Sequence, residues 1–258
     1  MRFFLDISYN GNIYYGWQIQ KNNLSIEQIL EEKISILLKK KINIIGAGRT
    51  DKGVHAIQMI AHFDFNKEIE NEIIEKLNNF LPENIKVNKI FRVKDNIHAR
   101  FNAINRTYKY YIYTKKNLFF KNIFWDITSF SKKKINFSYL KKLEFFLYKQ
   151  KNFEFFCKKK KKIKNYICNI YYVNWTKKKN FLIFTIRANR FIRCMVRFLV
   201  GTMINVGIEK ISLETFYNYF LNKNNNNNYN NKKFLAPPFG LFLYKINYPK
   251  NILYNNKL

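Results

Sequence analysis

The sequence predicts an α+β protein made of two related halves, and three observations lead to this class. Apolar residues make up 47% of the 258 residues, so the chain can bury a sizeable core despite its charge. Segments with helical periodicity alternate with aromatic and β-branched runs. The second half loosely repeats the pattern of the first. We expect an N-terminal half over residues 1–104 and a C-terminal half over residues 105–258.

The first half is predicted to hold strands and two helices. The first helix has the clearest start, because Ser25 and Gln28 form a capping box ahead of apolar residues at helical spacing. It should end near Lys39 to Lys41. The second helix covers residues 69–80 and is closed by Pro82. Strands are predicted over residues 3–9, 58–65 and 85–93.

The second half begins with a β-rich aromatic run over residues 106–114. Helices are predicted over residues 137–149, 190–206 and 212–221, and strands over residues 166–175, 181–188 and 241–246. The Asn-rich stretch over residues 222–233 has low complexity and is predicted to be a flexible loop.

The net charge of +30 has two interpretations. Lys and Arg release counterions when they neutralise a polyphosphate, so a strongly basic chain suits a nucleic-acid partner. The same composition also fits codon drift in an AT-rich genome, because Lys, Asn, Ile, Phe and Tyr are abundant while Gly and Pro are scarce. Arginine supplies only nine of the 47 basic residues. We therefore give each arginine more weight than the lysines, because its planar fork makes contacts that an ammonium group cannot make.

Cysteine usage and hydropathy suggest a cytoplasmic protein. Three cysteines without CxxC spacing favour neither a disulfide framework nor a zinc site. Apolar runs are much shorter than the ~20 residues that cross a bilayer. The first residues lack the apolar core and cleavage site of a signal peptide.

The segment from Gly46 to His55 is the most informative part of the chain. It holds three of only eight glycines, and glycine allows positive φ or close backbone approach. Arg49 and Asp51 are two residues apart, so in an extended stretch they project to the same side, and the arginine keeps the carboxylate ionised. The alternative is a Gly-rich turn that carries a surface ion pair. The spacing fits neither GxxxxGK[ST] nor GxGxxG.

Several motifs resemble segments of one family, in family order from residue 14 to residue 241. They are Tyr14-Tyr15-Gly16-Trp17-Gln18, Gly48-Arg49-Thr50-Asp51-Lys52-Gly53-Val54-His55-Ala56, Leu81-Pro82-Glu83-Asn84-Ile85, His98-Ala99-Arg100-Phe101-Asn102-Ala103, Arg106-Thr107-Tyr108-Lys109-Tyr110, Met195-Val196-Arg197 and Ala236-Pro237-Pro238-Phe239-Gly240-Leu241. Together they closely resemble the TruA family of tRNA pseudouridine synthases.

The resemblance implies a fold, a reaction and partners. The fold would be two ferredoxin-like or RRM-like halves whose mostly antiparallel sheets join into one mixed sheet, flanked by helices, with a central RNA-binding cleft. The reaction is the isomerisation of uridine to pseudouridine at positions 38, 39 and 40 in the anticodon stem-loop of tRNAs. It needs no cofactor and no metal. The family also implies a homodimer in which one tRNA contacts both subunits.

By resemblance, Asp51 is the catalytic residue. An ionised carboxylate can attack C1′ as a nucleophile or remove a ribose proton, and the sequence does not choose between these routes. Arg49 and Arg197 are expected to bind substrate and to keep Asp51 charged as water leaves. The alternative for Arg197 is an ordinary position on a helix surface.

Tyr108 is the other expected substrate-binding residue. A flipped uracil needs a stacking surface and contacts to its edge, and tyrosine offers both. The alternative is a core aromatic residue, because Tyr110, Tyr111 and Tyr113 lie nearby in the same run. The rival to the enzyme as a whole is a non-catalytic tRNA-binding protein or RNA chaperone on the same fold.

Overall fold

The computed structural model describes residues 1–70, 72–158, 165–221 and 234–254. Within them lie nine strands and five α-helices. In chain order these are β1 (Arg2–Tyr9), α1 (Ile26–Leu38), β2 (Ile45–Gly46), β3 (His55–Asp64), α2 (Glu72–Phe80), β4 (Ile85–Val93), β5 (Asn105–Tyr113), β6 (Trp125–Asp126), α3 (Phe137–Tyr148), β7 (Ile170–Lys178), β8 (Phe181–Ala188), α4 (Met195–Gly207), α5 (Leu213–Leu221) and β9 (Leu241–Asn247). The mixed α+β class expected from the sequence is confirmed.

The chain forms two compact units. The first contains Met1–Arg106 together with Phe242–Leu258, and the second contains Thr107–Leu241. Chain order predicts β9 in the C-terminal half, whereas in the structure β9 pairs in parallel with β3 of the first unit. The predicted division of the chain into two functional halves between residues 104 and 105 stays a prediction.

The sheet of the first unit has the strand order β4-β1-β3-β9, with β2 beside β3. Strand β1 is antiparallel to both of its neighbours and places Phe4 opposite His62 on one side and Phe91 on the other. Phe3, Phe4 and Leu5 are all buried, so both faces of this strand are covered. A strand buried on both faces reads as a continuous apolar run rather than an alternating one.

Helix α1 begins and ends where the sequence predicts. The Ser25 hydroxyl accepts a hydrogen bond from the Gln28 backbone N–H at 3.4 Å, which is the expected N-cap contact. Lys39 ends the helix in the left-handed conformation with φ of 50°.

In the second unit, the strands follow the order β5-β8-β7, and the short strand β6 is parallel to β5. Strands β7 and β8 form an antiparallel hairpin that pairs Lys178 with Phe181. Its two-residue turn uses Lys179 at φ of 43°. Helix α4 is buried at every position except Arg197. It begins at Met195 rather than at residue 190, because Cys194 adopts a positive φ of 62° that interrupts helical geometry.

No helix among the described residues is long and apolar enough to cross a membrane. The predicted Asn-rich loop over residues 222–233 lies outside the described residues.

Candidate active site

Asp51 lies on a loop that connects β2 to β3 and is held by backbone hydrogen bonds at several points. The Ala47 N–H donates to the Ile60 carbonyl at 2.7 Å, and the Val54 N–H donates to the Asp51 carbonyl at 3.1 Å. Asp51 thus lies on a connection between two strands of the first unit. We refer to residues 47–54 as the Asp51 loop.

Burial alternates along the centre of the Asp51 loop. Arg49 is exposed, Thr50 is buried and Asp51 is half-buried. The Thr50 hydroxyl forms a buried 2.8 Å hydrogen bond with the Tyr9 hydroxyl. Thr50 therefore holds the loop inward, while its two neighbours keep access to solvent, in line with the common side expected for Arg49 and Asp51.

The segment over residues 14–18 packs against the Asp51 loop. The Trp17 N–H donates to the Thr50 carbonyl at 3.2 Å, and the Gly53 N–H donates to the Tyr14 carbonyl at 3.3 Å. Gly16 has a φ of +90°, a conformation that favours glycine. The sequence predicts only a family motif over these residues and does not predict their role as a support for the Asp51 loop. The signal was a glycine between aromatic residues in a glycine-poor chain.

The Trp17 ring and Glu27 extend this support to helix α1. The indole N–H of Trp17 donates to Glu27 Oε1 at 3.0 Å, and the Ile19 N–H donates to Oε2 at 2.9 Å. Burial raises the pKa of the Glu27 carboxyl, whereas these hydrogen bonds and the positive charge of Arg49 lower it. The charge of Arg49 thus acts on Glu27 of α1.

His55 has a structural role at the end of the same loop. Its side chain is buried, and Nδ1 accepts a hydrogen bond from the Gly11 N–H at 3.1 Å. Its ring stacks on Phe242 with a centroid separation of 4.6 Å. These contacts connect the Asp51 loop to β9.

In the second unit, Tyr108 lies on β5 and is half-buried. Its ring meets Phe191 edge to face, with centroids 5.0 Å apart. Tyr110, two residues further on, is fully buried and donates from its hydroxyl to the Pro237 carbonyl at 2.7 Å. Of these two tyrosines, Tyr110 belongs to the core and Tyr108 is partly exposed.

Arg197 is the one residue of α4 that is not fully buried. Its Nε donates to the Ala236 carbonyl at 2.8 Å, and the Ala236 N–H donates back to the Arg197 carbonyl at 3.1 Å. Burial raises the pKa of Tyr110, and the positive charge of Arg197 opposes that rise. Arg197 is therefore anchored to Ala236, and its role in substrate binding stays a prediction.

The four expected site residues fall in both units. Arg49 and Asp51 share one loop of the first unit, while Tyr108 and Arg197 lie on β5 and α4 of the second. Within the described ranges, no group of three or more His, Cys, Asp or Glu side chains is arranged to hold a metal ion.

Comparison with known proteins gives a consistent result. The family model described as tRNA pseudouridine synthase matches residues 7–102 and 150–249. The chain is 40% identical to tRNA pseudouridine synthase A of Azobacteroides pseudotrichonymphae genomovar. CFP2, over 98% of this chain and 99% of the relative. It is 39% identical to the protein of that name in Bacteroides fragilis, over 97% and 98%. A relative of the same name in Dictyoglomus thermophilum is 37% identical over 95% and 98%.

Proposed function

The chain belongs to the family of tRNA pseudouridine synthases, and we propose that it isomerises uridine to pseudouridine at positions 38, 39 and 40 in the anticodon stem-loop of tRNAs. The reaction breaks the bond between uracil N1 and ribose C1′, turns the base and joins C5 to C1′. The proton released from C5 is balanced by the proton that N1 takes up. The enzyme is thus an isomerase that adds and removes no group.

Asp51 is the proposed catalytic residue, and its placement on a fixed loop carries the proposal. Hydrogen bonds at Thr50, Gly53 and Val54 restrict the backbone of the loop. The half-buried carboxylate of Asp51 is therefore held in position before the substrate binds. It either attacks C1′ directly or removes a ribose proton to open a glycal route. Both routes require its ionised form.

Arg49, Tyr108 and Arg197 are the proposed substrate-binding residues. Arg49 is exposed beside Asp51, so its guanidinium is available to RNA and is suited to fill the space that the flipped base leaves. Tyr108 is half-buried, and its aromatic ring is suited to stack on uracil. Arg197 is anchored through Nε to the Ala236 carbonyl, which fixes the position of its guanidinium.

The partner is the anticodon stem-loop of tRNA, and the excess of lysine adds an attraction to phosphates that carries no sequence information. Such contacts suit an enzyme that accepts neighbouring positions in several tRNAs. We also propose a homodimer and a cytoplasmic location, as the family resemblance implies, and a reaction without cofactor or metal. Light scattering at micromolar concentration tests the dimer, and a monomer would contradict it.

The rival function is a tRNA-binding protein or RNA chaperone that has lost the chemistry, and Asp51→Asn separates the two. The purified protein is incubated with tRNA transcripts that carry uridine at positions 38, 39 or 40, and pseudouridine is mapped by chemical derivatisation. We expect product at these positions with the unaltered chain. Asp51→Asn should lower the rate at least about 1,000-fold while tRNA Kd stays within about twofold.

Asp126→Asn is the matched control. Asp126 caps a short 3₁₀-helix through the Thr128 N–H, and asparagine is an equally good N-cap, so this change of charge should leave turnover intact. Retained turnover in Asp51→Asn would refute the catalytic assignment. tRNA binding without product from the unaltered chain would favour the rival function.

A further inference from the structure

Arg106 binds three backbone carbonyls in the first unit. Its Nη2 donates to the Ala47 carbonyl at 3.2 Å and to the Arg100 carbonyl at 2.5 Å, and its Nη1 donates to the Ala103 carbonyl at 3.1 Å. Charge-assisted hydrogen bonds of this kind are stronger than neutral ones. One half-buried guanidinium thus connects two loops that are more than fifty residues apart in sequence.

The turn over residues 98–103 is the rigid side of this connection. The His98 N–H donates to the Asn102 side-chain oxygen at 2.7 Å, and the Asn102 N–H donates to the His98 carbonyl at 3.1 Å. The Tyr248 hydroxyl donates to the Ala99 carbonyl. The turn therefore has internal support and a contact with the segment after β9.

The start of the Asp51 loop, ahead of the contacts made by Thr50, Gly53 and Val54, is the side that Arg106 holds. Ala47 is its first residue, and Gly48 follows in open space, where an added Cβ would meet no atom within 4 Å. Glycine has the greatest backbone freedom of any residue, and packing at Gly48 does not reduce it. A fixed Ala47 carbonyl limits how far the stretch from Gly48 to Asp51 can move.

Arginine suits this position better than lysine. Its planar fork presents several donors in fixed directions, whereas an ammonium group on a flexible stem acts as a single point of charge. Lysine is the basic residue at most other sites in this chain, and arginine occupies only nine. Bonds to three carbonyls in two loops are a requirement that lysine cannot meet with the same geometry.

We propose that Arg106 is a positioning residue that sets the place of Asp51 by holding the Ala47 carbonyl against the turn over residues 98–103. The proposal rests on the proposed function for its effect on rate. Because Arg106 acts through the backbone, its loss should misplace the carboxylate and slow the chemistry while tRNA still binds. A displacement of about 1 Å at a reacting group costs on the order of 100-fold in rate.

Arg106→Lys tests this with Arg92→Lys as the matched control. Arg92 is also half-buried in the first unit, where it pairs with Glu68 and lies over the Tyr254 ring. The single-turnover rate at saturating tRNA and the Kd for tRNA are measured for both variants. We expect Arg106→Lys to lose about 10- to 100-fold in rate with Kd within about twofold, and Arg92→Lys to keep both. Arg106→Gln is a second variant for which the same split is expected.

Hydrogen–deuterium exchange provides a readout that needs no turnover. In Arg106→Lys, we expect amides of residues 47–54 to exchange at least about threefold faster, while β7 and β8 are unchanged. An unaltered rate and exchange pattern would overturn the proposal. So would a rate loss matched by an equal loss of tRNA affinity, or faster exchange throughout the first unit. If the unaltered chain forms no pseudouridine, the proposed function fails, and the exchange at residues 47–54 still decides whether Arg106 positions the loop.

Discussion

Gly16 lies directly against the Thr50 carbonyl oxygen, and an added Cβ at Gly16 would stand only 2.3 Å from that atom. The same Cβ would lie 3.1 Å from the carbonyl carbon of Asp51. Two sequence motifs separated by more than thirty residues thus form one backbone-to-backbone contact. The segment over residues 14–18 is a support for the Asp51 loop, and its glycine is required both for φ and for space.

Gly16→Ala should therefore impair both stability and turnover. Alanine at φ of +90° is strained, and its methyl group must push the Thr50 carbonyl away, so we expect a loss of about 1–3 kcal/mol in the free energy of unfolding. The single-turnover rate should fall at least about tenfold because Asp51 follows Thr50. Denaturant unfolding and rate measurements check these values.

Gly48→Ala is the comparison for stability, because its Cβ enters open space and meets nothing. We expect a change below about 0.5 kcal/mol for this variant. Equal loss of stability in the two variants would contradict the close contact between Gly16 and Thr50.

Gly201→Ala should disturb the anchor of Arg197 in the second unit. A Cβ on Gly201 would lie 2.2 Å from the Phe234 carbonyl oxygen and 2.8 Å from the Ala236 nitrogen. Ala236 must move, and its carbonyl is the acceptor for Arg197 Nε. We expect the Kd for tRNA to rise several-fold, on the order of 1 kcal/mol, in a filter-binding assay. A folded variant with unchanged Kd and unchanged rate would show that this anchor does not serve substrate binding.

His62 should make the protein less stable in mild acid. Burial lowers its pKa to about 4, with smaller contributions from the charges of Arg2 and His98. In the unfolded chain its pKa is about 6.5. The unfolded state therefore binds a proton below pH 6.5 that the folded state excludes, and stability falls between pH 6.5 and pH 4.

His62→Gln should remove this part of the pH dependence. Glutamine does not titrate. Its side-chain oxygen can accept the hydrogen bond that the Ala99 N–H donates to His62 Nδ1 in the unaltered chain. The free energy of unfolding is measured in denaturant at pH 7.5, 5.5 and 4.5. We expect the free energy of unfolding to fall less steeply with decreasing pH in the variant than in the unaltered chain. The same decline in both would place the acid sensitivity on other groups.

Local sequence signals predicted most elements because their causes are local. Strand β4 occupies residues 85–93 as expected, and Ser25 caps α1. Helix α4 begins later than the sequence predicts, because the spacing of apolar residues does not predict the left-handed conformation of Cys194. The strand predicted to begin at residue 58 begins at His55, because pairing with β9 extends it to the end of the Asp51 loop.

The sequence by itself determined the family and singled out Asp51, since motif order, glycine placement and residue chemistry can be read along the chain. Only the tertiary structure decided how that aspartate is supported. Three contacts join residues that are far apart in sequence. They are the close approach of Gly16 to the Thr50 carbonyl, the hydrogen bond between the Tyr9 and Thr50 hydroxyls, and the hydrogen bond from Arg106 to the Ala47 carbonyl. Such contacts depend on how close the folded backbone brings two segments that are distant in sequence. Hydrophobic periodicity and residue propensity describe local structure and carry no information about that separation in space.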